Sequence, residues 1–253
     1  MNPFDISGRR AVVTGAAGGL GRGIAEGLLE ANASVAMIDV SPRLENTVIE
    51  LSAIYPGGVW GVHGDLCGTA AREDAFQQAV SKLGGGPDIL INCAGVQRRA
   101  PCEEYTLEDW DLVMEVNLRA VFHLCRLAGK RMLAAGGGKI VNIASMLSFF
   151  GGRQVPAYAT SKGGVAQLTK ALANAWAGRG VNVNAIAPGY MATEMNDALL
   201  RDAARSESIL SRIPAGRWGR PEDLKGLAVF LCSPAADYIH GAIIPADGGY
   251  LGC

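Results

Sequence analysis

No run of 18 apolar residues occurs in this 253-residue chain, so no segment has the length and hydropathy of a membrane-spanning helix. The N-terminal stretch MNPFDISGRRAVVTG lacks the apolar core of a secretory signal and leads straight into a strand-like segment. A long basic run is missing too. The 23 Lys and Arg offset 24 Asp and Glu to leave a net charge of −1, which gives no electrostatic footprint for nucleic acid. Cys67, Cys93, Cys102, Cys125, Cys232 and Cys253 form no CxxC pair, and with only three histidines no metal-ligand spacing repeats. These absences predict no metal site, reduced thiols that behave as small hydrophobes, and a cytoplasmic protein that has neither nucleic acid nor membrane as partner. No linker or low-complexity tract divides the chain, so residues 1–253 read as one domain.

What the chain does have is glycine, 34 residues of it, and a regular alternation of two hydrophobic periods. The short, β-branched, near-continuous runs 11–14, 34–39, 59–63, 88–92, 139–145, 181–187 and 242–246 have the pattern of strands buried on both faces. Helical patterns lie between them at 20–31, 42–54, 69–83, 107–135, 157–178 and 221–232. This alternation predicts an α/β fold: a single-domain, Rossmann-type, doubly wound, mostly parallel seven-stranded sheet with helices on both faces. The segment 190–215 interrupts the rhythm with helical sequence and no strand. A long insertion beyond the carboxyl end of a strand is where such folds place a substrate lid.

After the first strand comes TGAAGGLGRGIA, with Gly15, Gly19 and Gly21 spaced G-x3-G-x-G and Gly18 and Leu20 between them. Gly15 permits a sharp strand-to-helix turn, and the others let backbone amides approach a pyrophosphate closely. A bare tight loop would also use glycine, but placement between a strand and an amphipathic helix favours a dinucleotide. Asp39 ends the second strand, where a carboxylate accepts hydrogen bonds from the ribose hydroxyls and repels a 2′-phosphate. NAD is therefore expected over NADP, although Arg22 and Arg43 stand nearby as cations that soften the choice. The competing reading of Asp39 is a helix cap, a role that Ser41 ahead of Pro42 fits better. Asp65 and Leu66 follow the third strand at the expected adenine edge. Asn92, Ala94 and Gly95 end the fourth as a narrow passage beside the cofactor.

Tyr158 and Lys162 are four apart in YATSK and so share one helix face. A phenol titrates near pH 10. A neighbouring ammonium and the positive ring of an oxidised nicotinamide both favour the tyrosinate, and together they are expected to bring Tyr158 toward neutrality as a general acid/base. Ser145, at the end of the fifth strand, is placed to hydrogen-bond the same substrate oxygen. Ser161 faces elsewhere on the helix, and Ser148 reads as a loop or substrate-facing residue.

TGAAGGLG, Asp65, NCAG, Asn117, Ser145, YATSK and PGYMAT, in this order over essentially the whole chain, resemble the short-chain dehydrogenase/reductase family. Cys93 departs from the family's Asn-Asn-Ala-Gly, which bears on backbone support and not on chemistry. The resemblance implies an NAD-linked oxidoreductase with Asn117, Ser145, Tyr158 and Lys162 as its catalytic set, Asn117 anchoring a water that relays protons from Lys162. It also implies that Tyr158, Lys162, Pro188, Gly189, Met191 and Thr193 contact the cofactor. The alternative for Thr193 is a cap on the next helix. Finer similarity, in NIASMLSFFGGRQVPAYATSK and ILSRIPAGRWGRPEDL, points to the sugar-acid branch and so to a small carboxylate-bearing substrate. Arg98, Arg99 and Arg153 are then candidates, with Ser145 and Tyr158, to contact it, since a guanidinium suits bidentate carboxylate binding. The family pattern also implies a homotetramer built on 107–135, 157–178 and the last strand. Gluconate 5-dehydrogenase and acyl-carrier reductase chemistry are the alternatives within the family, and a non-catalytic nucleotide-binding scaffold is the alternative outside it.

Overall fold

The structure is a computed structural model and describes residues 2–253. Its strands are β1 (Arg10–Thr14), β2 (Ser34–Asp39), β3 (Val59–His63), β4 (Ile89–Asn92), β5 (Gly138–Ile143), β6 (Val181–Pro188) and β7 (Ile243–Ala246). They form one sheet in the order β3-β2-β1-β4-β5-β6-β7, and every neighbouring pair is parallel. The sheet is thus parallel throughout, not mostly so, because every connection is a crossover.

The helices are α1 (Gly19–Glu30), α2 (Leu44–Ile54), α3 (Thr69–Lys82), α4 (Leu107–Met114), α5 (Ala120–Ala135), α6 (Pro156–Trp176), α7 (Asp197–Arg201), α8 (Ala203–Leu210) and α9 (Lys225–Cys232). Strand alternation sorts the core into two layers. Val13, Val35 and Met37 pack with Ile24, Leu28 and Leu231 on the α1/α9 side. Val12, Ala36 and Ile38 pack with Phe76, Leu124 and Val165 on the α3/α5/α6 side. All eight residues of β6 are buried, as a strand covered on both faces requires.

Three expectations change. The helical run 107–135 is broken: α4 passes through a π-helical turn, Glu115–Arg119, before α5 begins. The run at 221–232 opens with a 3₁₀ turn, Pro221–Leu224, ahead of α9. The fifth strand stops at Ile143, so Ser145 lies beyond it and heads a 3₁₀ turn, Met146–Ser148, with its Oγ accepting from the Leu147 amide at 3.1 Å.

The chain winds outward from β1 to β3 and returns to β4, so strand order reverses between β1 and β4. Crevices that bind ligands open at the carboxyl ends of such strands. Thr14 joins the two ends here, its Oγ1 accepting from the amides of Cys93 and Ala94 at 3.1 Å each. Between β6 and β7, α7 and α8 rise over this same edge on a small apolar cluster that includes Met146, Leu199, Ile209, Trp218 and Tyr250. Among the described residues, no helix is long and apolar enough to cross a membrane. No group of three or more His, Cys, Asp or Glu there could hold a metal ion.

Candidate active site

At the switch point the backbone is packed too closely for side chains. A Cβ on Gly15 (φ +66°) would lie 2.6 Å from the Ala94 Cα, and one on Gly21 would lie 2.1 Å from the Gly15 carbonyl oxygen. These two glycines let α1 start hard against the end of β1. Gly18 and Gly19 are different, because their missing side chains border open space. A Cβ there would meet only Arg43 at 3.7 Å and Thr193 at 3.8 Å, respectively. Helix α1 has no side-chain cap and no acidic residue in its first turn, so its leading amides face this cradle without an internal acceptor. The cradle fits a dinucleotide pyrophosphate, and Leu20 sits within the same first turn.

Asp39 stands at the end of β2 with Oδ2 accepting from the Ala17 amide and Oδ1 from the Ser41 amide, each at 2.8 Å. Those bonds aim the carboxylate at the glycine loop. They do not cap α2, whose N-cap is Arg43 without a side-chain bond. Asp65 closes its own turn by accepting from the Cys67 amide at 2.8 Å. The Leu66 carbonyl accepts from Arg72 Nε at 3.0 Å and Nη2 at 2.7 Å. Arg72 is buried and ion-paired with Glu115 of the π turn. The expected adenine edge is therefore tied to the segment that carries Asn117. The sequence reading missed this link, since an arginine inside TAAREDAF looks like an ordinary exposed helix residue.

Two side chains are committed inside the protein. That of Asn92 does not line the passage. It is buried, with its amide donating to Asn142 Oδ1 at 2.8 Å and Cys125 Sγ at 3.3 Å, so Ala94 and Gly95 form that wall. Asn117 is also buried, and it grips Val96 on both sides, accepting from its amide at 2.8 Å and donating to its carbonyl at 2.9 Å, with Ser161 Oγ at 3.3 Å. Its side chain is thereby fully engaged in holding the segment after β4.

The chemistry-bearing side chains do converge. A Cβ on Gly95 would come within 3.4 Å of Asn117 Oδ1 and 3.8 Å of Lys162 Nζ. Lys162, on α6, donates to the Ile143 carbonyl at 2.6 Å, and its Nζ lies 5.6 Å from the Tyr158 ring centre. Burial pushes Lys162 down to about 8. Tyr158 is pushed up to about 12, because burial outweighs the hydrogen bond to Ser145 and the pull of Arg99. The expected approach of the phenol to neutrality is thus not achieved by the protein's own groups: Lys162 sits against the ring and the Ile143 carbonyl, and desolvation favours the neutral phenol. Ser148 is not substrate-facing, since its hydroxyl donates to the Lys162 carbonyl at 2.7 Å. Ser161 donates to the Tyr158 carbonyl at 2.8 Å.

Tyr158 and Ser145 open onto a cavity of about 350 Å³ between the 145–155 loop and the segment after β6. Arg99, Arg153, Arg205 and Arg212 line it, and no Asp or Glu does. None of the four is ion-paired among the described residues. Arg98 is the exception among the anticipated arginines: it turns away to Asp109 at 3.1 Å. Arg205 and Arg212 were not anticipated, although their seven-residue spacing on a helical stretch was a usable sign that they share a face. Arg212 lies 4.4 Å over the Tyr250 ring. Of the remaining expected cofactor contacts, Pro188 ends β6. Gly189 is packed so closely that a Cβ would sit 2.7 Å from the Asp247 Cα, and Met191 is buried and bridged to Gly219. Thr193 heads the turn Glu194–Asn196 without capping it through its side chain, and its Cβ and methyl group border Gly19 at 3.8 Å from where a Cβ there would be.

A glycine cradle at the switch point, next to a tyrosine, a lysine and a serine around one cavity, defines a nucleotide-dependent oxidoreductase. The family model described as enoyl-(acyl carrier protein) reductase matches residues 15–251. The chain belongs to the short-chain dehydrogenase/reductase family. It is 47% identical to the 2-dehydro-3-deoxy-D-gluconate 5-dehydrogenase of Pseudoalteromonas atlantica, covering 100% of this chain and 99% of that one. It is 45% identical to the enzyme of the same name from Escherichia coli, over 99% of this chain and 98% of that one. The crystal structure of a gluconate 5-dehydrogenase from Burkholderia cenocepacia in complex with NADP and tartrate superposes with a TM-score of 0.92 at 37% identity, covering 100% of this chain and 98% of the other. The chain is an NAD(P)-dependent dehydrogenase of this family.

Proposed function

We propose that this protein interconverts a keto and a hydroxy group on a sugar acid, as a 2-dehydro-3-deoxy-D-gluconate 5-dehydrogenase. The observation that carries the substrate class is the cavity: Tyr158 and Ser145 face a space lined by four unpaired arginines and no carboxylate. An uncompensated positive field of this kind raises the local concentration of an anion and orients it. Arg99 and Arg153 take the carboxylate-binding role expected of them, and Arg205 and Arg212 join them from the lid. The names of the full-length relatives at 45–47% identity support the same substrate class.

Bound in the glycine cradle, the dinucleotide supplies the hydride acceptor or donor. Gly15, Gly18, Gly19, Leu20 and Gly21 receive the pyrophosphate, Asp39 the ribose, Asp65 and Leu66 the adenine edge, and Ala94, Gly95, Pro188, Gly189, Met191 and Thr193 the nicotinamide end. Tyr158 donates its phenolic proton to the substrate oxygen in reduction; in oxidation it would take the hydroxyl proton as the tyrosinate, a form that the positive ring of a bound oxidised nicotinamide would favour beside Lys162. Ser145 hydrogen-bonds that oxygen as charge develops. Lys162, still protonated at neutral pH with a pKa of about 8, keeps a positive charge beside Tyr158 and the nicotinamide ribose. Asn117 positions this group by fixing Val96 and Ser161. NAD is the preferred cofactor, because Asp39 repels a 2′-phosphate. Residues 1–253 act as one domain with 190–215 as lid, in a cytoplasmic homotetramer built on α4–α6 and β7.

The test is an NAD(H)-coupled screen of keto and hydroxy sugar acids, with acyl thioesters and steroids as controls. Turnover of 2-dehydro-3-deoxy-D-gluconate or a close sugar acid is expected. Turnover of acetoacetyl thioesters alone would overturn the reading.

A further inference from the structure

Asp39 is not the only charged group at the adenosine end. Arg43 follows it in the same loop, held there by the bond from its amide to Ser41 Oγ at 3.3 Å. Its Nη2 lies 3.7 Å from where a Gly18 Cβ would be, so the guanidinium borders the pyrophosphate cradle. A free guanidinium beside a ribose is the group that would accept a 2′-phosphate, by bidentate hydrogen bonding. Arg43 is not free. Both of its terminal nitrogens are taken by Glu194, one through Nη1 to Oε1 and the other from Nη2 to Oε2 at 2.7 Å. Glu194 belongs to the first turn of the lid, 151 positions further along the chain. The neighbouring cation, Arg22, is likewise committed, to Glu50 at 2.7 Å.

We infer that Glu194 is a cofactor-specificity residue: by holding Arg43 in a bidentate pair it withholds the one cation placed to receive a 2′-phosphate, and so sharpens the preference for NAD that Asp39 begins. This rests on the cofactor reading above. NADP must break the Arg43–Glu194 pair or bind without Arg43, and in either case the Glu194 carboxylate adds a second negative charge near the phosphate. NAD has no group that competes for Arg43 and leaves the pair intact. The two acids act differently, Asp39 by repelling the phosphate and accepting the ribose hydroxyls, Glu194 by occupying its counter-ion.

The experiment is a fluorescence or calorimetric titration of NAD+ and NADP+ into the full-length wild type, Glu194→Ala, Arg43→Met and the double variant. An exposed bidentate pair is worth little in water, so the expected gain is moderate: the NADP+ dissociation constant of Glu194→Ala falls about five-fold, while that for NAD+ moves less than about two-fold. The gain disappears when Arg43→Met is added, because there is then no released guanidinium. An unchanged NADP+ constant, an equal gain for both nucleotides, or a gain that persists without Arg43 would each overturn the inference. Normal NAD+ binding in those cases leaves the cofactor reading standing. If the wild type already favours NADP+, the NAD preference falls, and the response of NADP+ to Glu194→Ala still decides the role of Glu194.

Discussion

The two ends of the site treat positive charge in opposite ways. At the adenosine end each nearby arginine is matched by an acid, Arg22 by Glu50 and Arg43 by Glu194. At the substrate end four arginines meet no acid at all. On the cofactor reading proposed above, matched cations leave the carboxylate of Asp39 to act through repulsion and ribose hydrogen bonds. Unmatched cations create an attractive field whose strength depends on the anion that fills it. Arg99 shows the tension directly: burial and the proximity of Arg205 both push its pKa down, and a seated carboxylate would reverse the effect. One segment contributes to both behaviours, since Glu194 and Arg205 both lie within 190–215.

The largest effect tests what lies between the two ends. Tyr158→Phe removes only the phenolic hydroxyl and should lower kcat by about 10³-fold, the middle of the range for a lost general acid/base. NADH binding followed by fluorescence should be unaffected. Full turnover in this variant would remove the assigned acid/base.

Next in size are the unmatched arginines. Arg99→Met and Arg205→Met should each lower kcat/KM for a sugar acid by roughly 10- to 100-fold, the value of a charge-assisted hydrogen bond. The same variants should act almost normally on a neutral analogue such as the lactone or polyol. An equal loss on charged and neutral substrates would mean that these residues shape the lid and do not read charge.

The buried pair gives a smaller and more gradual signature in stability. Lys162 has its pKa lowered from 10.5 to about 8. Between those values the unfolded chain binds more protons than the native one, so stability rises with pH from about 8 to 10.5. Tyr158 is raised from 10.0 to about 12, so the native state holds its proton longer and stability falls from pH 10 to 12. In denaturant melts, wild type should gain stability relative to Lys162→Met between pH 8 and 10. A constant difference would mean that the lysine is not buried as a strained cation.

The sequence was most legible where geometry leaves few choices. Gly15 and Gly21 could be read because no Cβ fits there, and strands such as β6 because two covered faces demand an unbroken apolar run. The Tyr158–Lys162 spacing was legible for the same reason, as a helix fixes what four residues means. The interactions between distant segments were not legible. Nothing in TAAREDAF says that Arg72 will be buried against the Leu66 carbonyl and Glu115, and nothing local joins Arg43 to Glu194. Expecting Lys162 and the nicotinamide ring to lower the phenol's pKa in a partly desolvated site gave too little weight to burial, which depends on tertiary packing and outweighs the lowering that the protein's own groups supply.

The finest test of the contrast lies in two consecutive residues. Arg98 and Arg99 follow β4 in a stretch without regular secondary structure, where no period fixes which way a side chain turns. Sequence cannot say which of the two faces the cavity, because RR reads the same either way. The structure separates them by partner: Arg98 meets Asp109 at 3.1 Å in a half-exposed pair, while Arg99 lines the cavity without an acid. Exposed pairs contribute about 0–1 kcal/mol, so Arg98→Met should change kcat/KM by less than about two-fold and leave the melting midpoint nearly unchanged. Its neighbour's substitution should cost ten-fold or more on the same substrate. If Arg98→Met instead proved the more damaging on a sugar acid, the placement of these two side chains would be reversed in solution. The division between matched and unmatched arginines would then fail at the point where it is sharpest.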